Sequence, residues 1–392
     1  MDRMAEVQDG KDRETVLIAA LGTSPAVLTE VVWALAEGEG TIPSRVIVVT
    51  TLEGRKRVIE ELLENPDGEE TSRSVWSQLR EALAANGHDV EGKLRFGQTG
   101  RDIHVLTVTD ERTGERSELP DIRSSRENEE VGDSMVEVLR SITEDPDTTL
   151  IASLAGGRKT MGVLLYAAAC MLGGPHDRAV HVLVSAPYEN PTLVPRFYFP
   201  QQAQGELVQE DGSVVEAGKA LIEVADVPLL PMRELFQTEY GRAPGAFRAL
   251  AARCRDRVSG APSPKLCVWS ERCKLTVDGQ AVELAPKEHL LVLFLTDRLL
   301  GGSGALGDYG AAVDLFRRFW TELHDQEGTT AGWLERAKPD PYFAVEDLSR
   351  LLHRVRGKLS KNDATQRLLP FLPRPGNFGL DLSPDDVEVA GE

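Results

Sequence analysis

Apolar residues in the first half of the chain follow two patterns that alternate. Continuous apolar runs typical of buried strands are each followed by stretches with apolar residues at helical spacing. The predicted strands are Thr15–Leu21, Arg45–Thr51, Ile103–Val108, Thr149–Leu154 and Ala179–Ala186. The predicted helices are Val27–Ala36, Arg55–Glu64, Ser74–Ala85, Glu127–Ser141 and Lys159–Leu172. This alternation predicts an α/β fold with a mostly parallel sheet and helices on both faces.

The middle of the chain has weaker patterns. Gln201–Gly218 is predicted to be a β-hairpin or loop, and Leu235–Val258 a helix that Pro244 interrupts. The proline-rich stretch Ala261-Pro262-Ser263-Pro264 is typical of a linker.

The last third of the chain changes character. Its predicted strands are Leu266–Trp269, Lys274–Val277 and Ala281–Leu284, with a hairpin turn at Asp278-Gly279. Its predicted helices are Pro286–Leu299, Ala311–His324 and Val345–Leu359, and a terminal hairpin is expected in Leu368–Leu382 around Pro375-Gly376-Asn377. The segments LTVDGQAVELAPKEHLLVLFL, DLSRLLHRVRGKL and PGNFGL resemble the response-regulator winged-helix pattern. That resemblance implies a winged helix-turn-helix domain.

Length and charge limit the classes of protein. A chain of 392 residues exceeds the roughly 250–300 residues of a single core, so two or three domains are expected. The net charge of -19 argues against a protein that coats nucleic acid without specificity. Four scattered cysteines give neither a disulfide framework nor a zinc site. The polar N-terminus and the absence of a long apolar run lead us to expect a cytoplasmic protein that does not cross a membrane.

The first candidate site is the turn after the first predicted strand, Gly22-Thr23-Ser24-Pro25. Gly22 permits a sharp turn, and Thr23 and Ser24 present hydroxyls at a helix N-terminus, which favours anions. The alternative is that Ser24 or Thr23 is only the N-cap of the helix, with Pro25 at its first position. The local sequence supports the two interpretations equally.

The second candidate site follows the strand Thr149–Leu154. Gly156 and Gly157 lead directly into Arg158, Lys159 and Thr160. Cations at a helix N-terminus oppose the helix dipole, so their presence indicates a site for an anion, and phosphate suits Arg and Lys together. The alternative is a pair of solvated surface charges. The spacing matches neither a P-loop nor a dinucleotide fingerprint.

A third segment, Asp121–Asn128, precedes another predicted helix at the same edge of the sheet. Arg123, Ser124 and Arg126 are its candidate ligand-binding residues, although an N-capping loop explains the segment equally well. Together the three segments predict a pocket for a phosphate-bearing ligand, ringed with cations.

The motifs ALGTSPAVLTE, DIRSSREN and SLAGGRKTM resemble the CARF (CRISPR-associated Rossmann fold) domain of CRISPR-associated ring nucleases. The resemblance covers about residues 14–235 and implies a Rossmann-like sheet, a homodimer, and binding of cyclic oligoadenylate with no cofactor and no metal. It further implies cleavage of the messenger by attack of a ribose 2′-OH on the adjacent phosphate, which switches off type III CRISPR signalling. A two-fold dimer favours cyclic tetra-adenylate, because two symmetric cuts give two identical products.

The resemblance also implies roles for individual residues. Ser24, with Thr23 adjacent, would position the reacting groups, and Lys159 would stabilise the transition state with help from Arg158. Gly22, Gly156 and Gly157 would allow the backbone to approach the ligand closely. No general base stands out in the sequence. The predicted domains are a disordered N-terminus (1–13), a CARF domain (14–235), a helical connector and linker (236–264), and a winged-helix domain (265–385).

Two alternative functions stay open. The first is a messenger-controlled transcription regulator, because residues 345–374 hold seven Lys and Arg against three acidic residues. Residues 263–392 as a whole are nevertheless at -4, so we favour a dimerisation or lid role for the winged helix over DNA binding. The second is a messenger-activated RNase, for which Arg318 and His324 fit a loose R-x4–6-H spacing.

Overall fold

The computed structural model describes residues 13–65, 73–98, 100–110, 116–201, 204–233, 247–307, 309–325, 332–374 and 377–391. The chain divides into two compact units. The first unit comprises residues 1–107 and 118–235, and the second comprises residues 108–117 and 236–392. The disorder expected for residues 1–13 falls almost entirely outside the described residues, as does the first half of the helix expected over Leu235–Val258.

A six-stranded sheet organises the first unit. Its strands are β1 (Glu14–Leu21), β2 (Arg45–Thr50), β3 (Ile103–Val105), β6 (Thr148–Ser153), β7 (Arg178–Val184) and β10 (Ile222–Val227). They lie in the order β10-β7-β6-β1-β2-β3, and every pairing is parallel except that of β7 with β10. In β1, Ile18 pairs with Ile47 on one side and Ala152 on the other. The sheet confirms the predicted Rossmann-like α/β fold.

Helices cover both faces of this sheet. They are α1 (Ala26–Glu39), α2 (Leu52–Val58), α3 (Val75–Ala85), α4 (Ser125–Thr143) and α5 (Lys159–Leu172). On one face, α1 packs against β7 and β10 and contacts α3, whereas α4 and α5 pack against each other and against β6. Residues of β1 are almost fully buried between the two helical layers, which explains the continuous apolar run.

Two segments depart from the predicted elements, and the strand β10 was not predicted. The helix after β2 begins at Leu52, where Thr51 caps it, and continues past Val58 as a π-helical turn over Ile59–Leu63. The single strand predicted over Ile103–Val108 is instead two short strands, β3 and β4 (Thr107–Thr109), of which β4 pairs with β5 (Arg116–Glu118). The hairpin predicted within Gln201–Gly218 is confirmed as β8 (Glu206–Val208) and β9 (Val214–Glu216).

The second unit has its own sheet and core. Its helices are α6 (Phe247–Ser259), α7 (Pro286–Leu300), α8 (Tyr309–Asp325), α9 (Val345–Leu359) and α10 (Asp363–Gln366). Its strands are β11 (Leu266–Trp269), β12 (Lys274–Val277), β13 (Gln280–Glu283) and β14 (Val387–Ala390), in the order β13-β12-β11-β14. Asp278 and Gly279 both have positive φ, which confirms the predicted tight turn between β12 and β13.

The end of the second unit agrees in part with the predicted hairpin and adds a strand that was not predicted. The hairpin predicted in Leu368–Leu382 has its tip, residues 375–376, outside the described residues. On either side of the tip, Arg374 and Asn377 exchange two backbone hydrogen bonds in an antiparallel bridge, as in a tight hairpin turn. Phe378 forms a second isolated bridge with Leu306, and Leu369–Phe371 form a helical turn. Pro370 and Pro373 have no N–H to donate to a ladder, which disfavours a regular strand there. The chain instead ends in β14, which pairs in parallel with β11. The second unit is therefore an additional α/β region, in which the predicted hairpin is present among the described residues as a closing pair without a regular ladder.

In the part of the chain that the structure describes, no helix has the length and apolar character needed to cross a membrane.

Candidate ligand site at the glycine turns

The two predicted glycine turns touch each other. They follow the neighbouring parallel strands β1 and β6, so both lie at one edge of the sheet. A Cβ atom built on Gly22 would lie 3.0 Å from Cα of Gly157, which means that the backbones are in direct contact. Gly156 and Gly157 both adopt positive φ, at 99° and 67°, where a side chain is strained. The structure thus brings the two sequence motifs into one place.

A third turn supports the first from the other side. Thr50, the last residue of β2, donates a hydrogen bond from Oγ1 to the carbonyl oxygen of Leu21 at 2.7 Å. A Cβ on Gly54 would lie 2.0 Å from that Oγ1 and 2.9 Å from the carbonyl oxygen of Gly22. The Gly22 turn is therefore held between two neighbouring turns, which fixes the position of the residues that follow it.

Ser24 is not the N-cap of α1. Helix α1 begins at Ala26 with Pro25 in the capping position, and no side chain caps its free N–H groups. The Oγ of Ser24 instead accepts a hydrogen bond from Nη2 of Arg196 at 2.8 Å. Ser24 is half-buried, whereas Thr23 is exposed. The capping alternative is thus wrong for Ser24, and the hydroxyl is held by a cation.

Arg196 holds the hydroxyl of Ser24 and is itself paired with a carboxylate. Its Nε lies 3.4 Å from Oε2 of Glu61, so its charge is paired within the protein. The hydroxyl of Tyr198 lies at hydrogen-bonding distance from the same carboxylate, at 3.4 Å, and burial raises the pKa of Tyr198 to about 12. Arg196 stands in a segment without helical or strand periodicity, and no motif in the sequence marked it.

Arg158 and Lys159 differ in their surroundings. Nε of Arg158 donates to Oδ1 of Asp121 at 2.8 Å, and its Nη2 donates to the other carboxylate oxygen. This bidentate pair lowers the pKa of the Asp121 carboxyl. Lys159, the first residue of α5, is exposed and has no ion-pair partner among the described residues. Thr160 beside it is also exposed. The cation available to an outside anion is therefore Lys159 rather than Arg158.

The third segment is an N-capping loop, as its alternative interpretation predicted. Ser124 accepts a hydrogen bond from the Glu127 N–H at 3.2 Å, and the Glu127 carboxylate accepts from the N–H groups of Arg123 and Ser124. These contacts form a capping box at the start of α4. The side chain of Arg126 pairs with Glu130 at 3.3 Å, while that of Arg123 is largely exposed, with its Nε 3.7 Å from Asp121. The Asp121–Arg158 ion pair connects this segment to the second glycine turn.

A cavity of about 230 Å³ opens beside the two turns. Ser24 and Gly156 line it at the turns, and the rest of its wall comes from α1, from β7 and from the segment after β7. Its other lining residues are Ala26, Val27, Glu30, Ala155, His181, Val182, Val184, Tyr188, Glu189, Asn190, Pro191, Arg196 and Phe197. Seven of the fifteen lining residues carry polar or charged side chains, so the wall combines polar and apolar surface.

Glu30 is a buried carboxyl group in this wall. It is 7% exposed, and burial raises its pKa to about 7, against the opposing effect of the Arg196 charge. A carboxyl group with this pKa is partly neutral near neutral pH. In the sequence, Glu30 is marked only by being a single charged residue within the apolar face of α1, and it lies outside the motifs at the turns.

In the second unit, several residues on which the two alternative functions depend make contacts within the protein. The Nε2 of His324 lies 2.7 Å from the carbonyl oxygen of Ala337, so this half-buried ring has a structural contact. Lys358 pairs with Glu288 at 2.7 Å and Arg367 with Asp278 at 2.6 Å. Arg350 pairs with Asp347 within its own helix. Three of the seven basic residues counted in 345–374 are therefore paired with carboxylates of the protein.

No three His, Cys, Asp or Glu side chains stand together as a set of metal ligands within the described ranges.

The six-stranded, mostly parallel sheet with helices on both faces defines the first unit as a Rossmann-like α/β protein. Residues 24–252 match the model of a family described as "CRISPR-associated protein NE0113". Because the match spans more than half of the chain, this protein belongs to that CRISPR-associated family.

Comparison with solved structures finds a similarity to Enterococcus italicus Csm6 bound to cyclic hexa-2′-fluoro-hexa-dAMP. The sequence identity is 12% and the TM-score is 0.30, with 81% of this chain and 70% of that chain covered. Comparison with curated proteins gives no match.

Proposed function

We propose that this CRISPR-associated protein is a ring nuclease that binds and cleaves cyclic oligoadenylate, with cyclic tetra-adenylate as the preferred ring. The observation that carries the proposal is the contact between the two glycine turns. The Ser24 hydroxyl and the Lys159 ammonium, which has no ion-pair partner among the described residues, thus lie at one edge of the sheet. They stand on the two turns for which the CARF resemblance implies their roles. We further propose that the first unit is a CARF domain, that the second unit is a modified winged helix, and that the protein acts as a homodimer in the cytoplasm.

The proposed reaction is a transesterification within the ring. A ribose 2′-OH attacks the adjacent phosphorus, a P–O bond to the 2′ oxygen forms, and the P–O5′ bond breaks. The proton of the 2′-OH ends on the departing 5′ oxygen, so the product carries a 2′,3′-cyclic phosphate. No atom enters or leaves, and the enzyme needs to align the reactants and stabilise the charge on the phosphoryl oxygens.

Each residue has a physical task in this proposal. Lys159 would donate from Nζ to a phosphoryl oxygen as negative charge develops, together with the free N–H groups at the start of α5. Ser24 would orient the ribose, because Arg196 fixes its Oγ and leaves the hydroxyl proton available to an acceptor on the ligand. Arg158 would act through Asp121, holding the α4 and α5 turns together rather than binding phosphate.

The first test is cleavage in the presence of EDTA. The purified protein is incubated with cyclic tetra-adenylate or cyclic hexa-adenylate, and the products are separated by chromatography. We expect linear products ending in a 2′,3′-cyclic phosphate, from the tetramer faster than from the hexamer. Intact messenger after long incubation with stoichiometric protein would overturn the enzymatic proposal.

The second test is the substitution Lys159→Ala. We expect cleavage to fall by about 100-fold or more, the size of effect seen when one transition-state donor is removed. The fold should survive, because the side chain is exposed and opposes the α5 dipole. Lys219→Ala is the matched control, since Lys219 is also an exposed lysine of the first unit and pairs only with Glu216 among the described residues. Cleavage by Lys159→Ala at the rate of the control would refute the assignment of the site.

A further inference from the structure

The segment after β7 brings Arg196 to the first glycine turn, and two contacts hold its backbone there. Oγ1 of Thr29, a buried residue of α1, lies 2.7 Å from the carbonyl oxygen of Tyr198. Nε2 of Gln204 donates to the carbonyl oxygen of Arg196, also at 2.7 Å. These contacts fix the backbone that carries the arginine, so the position of the guanidinium depends on what holds its long side chain.

The guanidinium of Arg196 contacts Ser24 at one end and Glu61 at the other. Its Nη2 donates to Oγ of Ser24 at 2.8 Å, and its Nε lies 3.4 Å from Oε2 of Glu61. Nε is buried and makes no hydrogen bond with the described residues, so the charge of Glu61 compensates for its loss of water. The Tyr198 hydroxyl lies 3.4 Å from the same Oε2, whereas Oε1 faces the more exposed Arg57 at 3.9 Å.

Glu30 is another carboxyl group close to Arg196, but it is the weaker counter-ion. Burial raises the pKa of Glu30 to about 7 against the effect of the Arg196 charge, so near neutral pH it carries only part of a negative charge. Glu61, in contrast, is within ion-pair distance of the guanidinium. The carboxylate that holds Arg196 is therefore that of Glu61.

Glu61 stands in the middle of the π-helical turn that follows α2. Residues Ile59–Leu63 form this turn, and Leu62, next to Glu61, is fully buried. A π-helical turn carries one extra residue, which rotates the side chains after it by about 100° from their places on a regular α-helix. Such turns are rare and occur frequently at functional sites. This one combines the burial of Leu62 with an ion pair from Glu61 to Arg196.

The direction of the hydrogen bond at Ser24 determines what its hydroxyl can do. A guanidinium has donors and no acceptor, so Ser24 can only accept from Arg196. The hydroxyl proton therefore points away from the arginine and can be donated to an acceptor on a ligand. An arginine side chain has many rotamers, and the ion pair with Glu61 favours the rotamer that contacts Ser24.

We propose that Glu61 is a positioning residue of the cleavage reaction, which acts through Arg196 to hold the Ser24 hydroxyl in its donating orientation. The inference rests on the proposed function, to which it adds the residue that aligns the serine. Neither Glu61 nor Arg196 touches the reacting atoms in this arrangement. Loss of the Glu61 charge frees the guanidinium, which can then turn towards the phosphates of the ligand. Cleavage should therefore slow while the ring stays bound.

The first measurement separates the rate of cleavage from binding. Glu61→Gln keeps the size of the side chain and removes its charge, and Glu60→Gln, at the exposed neighbouring residue of the same turn, is the matched control. Single-turnover cleavage of cyclic tetra-adenylate gives the rate constant. Calorimetry with a ring whose 2′-hydroxyls are replaced by fluorine gives the affinity. For Glu61→Gln we expect the rate constant to fall about tenfold, with an affinity that is unchanged or up to about threefold tighter.

A double-mutant cycle shows whether Glu61 acts through Ser24. Ser24→Ala alone should slow cleavage about tenfold or more, and Glu61→Gln added to it should cause no further loss, because the group to be positioned is gone. Independent roles would instead multiply the two effects. Arg196→Lys keeps the charge but lacks the planar fork, so it should slow cleavage about as much as Glu61→Gln does. It replaces Glu61→Gln in the cycle if thermal unfolding shows that the latter does not fold.

Three results would overturn this inference while the ring nuclease stands. They are cleavage by Glu61→Gln at the rate of Glu60→Gln, multiplied effects in the double variant, and a loss of ring affinity large enough to account for the slower cleavage. Absence of cleavage by the wild-type protein would refute the proposed function itself, and with it any role of Glu61 in that reaction.

Discussion

The burial of Glu30 has a thermodynamic consequence that does not depend on any ligand. Its pKa is about 7 in the folded protein against 4.5 ordinarily, so the folded state binds the proton more tightly than the unfolded state does. The stability associated with that proton is fully present below about pH 4.5 and is lost as the pH rises through about 7. At about 1.4 kcal/mol per pKa unit, the loss is about 3 kcal/mol above pH 7.

Glu30→Gln should remove this dependence. We expect the variant to be more stable than wild type at about pH 8, by up to about 3 kcal/mol, and close to wild type at about pH 5. Urea unfolding followed by circular dichroism at both values of pH measures the difference, with Glu210→Gln, at an exposed glutamate of the β8–β9 turn, as the control. Parallel pH profiles for wild type and Glu30→Gln would show that the carboxyl is not desolvated.

At the scale of elements, the close contact of the turns is the feature on which the site depends. Gly22→Ala would place a Cβ 3.0 Å from Gly157 Cα, tighter than an ordinary contact, so the two turns must separate by a few tenths of an ångström. We expect cleavage to fall at least tenfold for a stability cost of about 1 kcal/mol, because alignment of the reactants is sensitive to small shifts.

Gly38→Ala is the control for this substitution. Gly38 lies within α1, where a Cβ would meet nothing within 4 Å, and alanine should stabilise the helix by about 0.5–1 kcal/mol without affecting cleavage. Chromatographic cleavage assays and thermal unfolding of both variants give the comparison. Full activity in Gly22→Ala would mean that the contact between the turns has no part in catalysis.

The elements also show how far the sequence could predict the structure. Local patterns identified the five parallel strands and the helices of the first unit, including the bounds of α5, and they also gave the bounds of α9 in the second unit. Buried runs and amphipathic spacing are local properties. The antiparallel strand β10 was not predicted, because its residues alternate weakly between buried and exposed positions. The same patterns located both glycine turns. They could not locate Arg196, since its contact with Ser24 joins residues 172 positions apart. They also could not choose between binding and capping for Ser124, which depends on where Glu127 points.

At the scale of the whole molecule, the negative charge is unevenly placed. Residues 1–262 hold 28 Lys and Arg against 43 Asp and Glu, and residues 263–392 hold 16 against 20. Most of the acidity thus belongs to the part proposed to bind a nucleotide ring. An acidic surface repels long polyanions, which must contact much of it. A small cyclic nucleotide contacts only the few cations at one edge of the sheet, so it experiences less of this repulsion. The net negative charge therefore argues against binding of long nucleic acids, but not against binding of small cyclic nucleotides.

This charge distribution yields a prediction about DNA. A transcription regulator would need free basic side chains in the second unit, but Lys358, Arg367 and Arg350 are paired with carboxylates there. Few phosphate contacts give weak binding with a shallow salt dependence, so we expect the full chain to bind duplex DNA no more tightly than about 10⁻⁵ M near physiological salt. Addition of cyclic tetra-adenylate should leave this affinity unchanged.

Gel-shift titrations with promoter fragments of the CRISPR locus, at two salt concentrations and with and without messenger, provide the measurement. Submicromolar binding that responds to the messenger would mean that these ion pairs open on DNA, and it would favour the regulator over the ring nuclease.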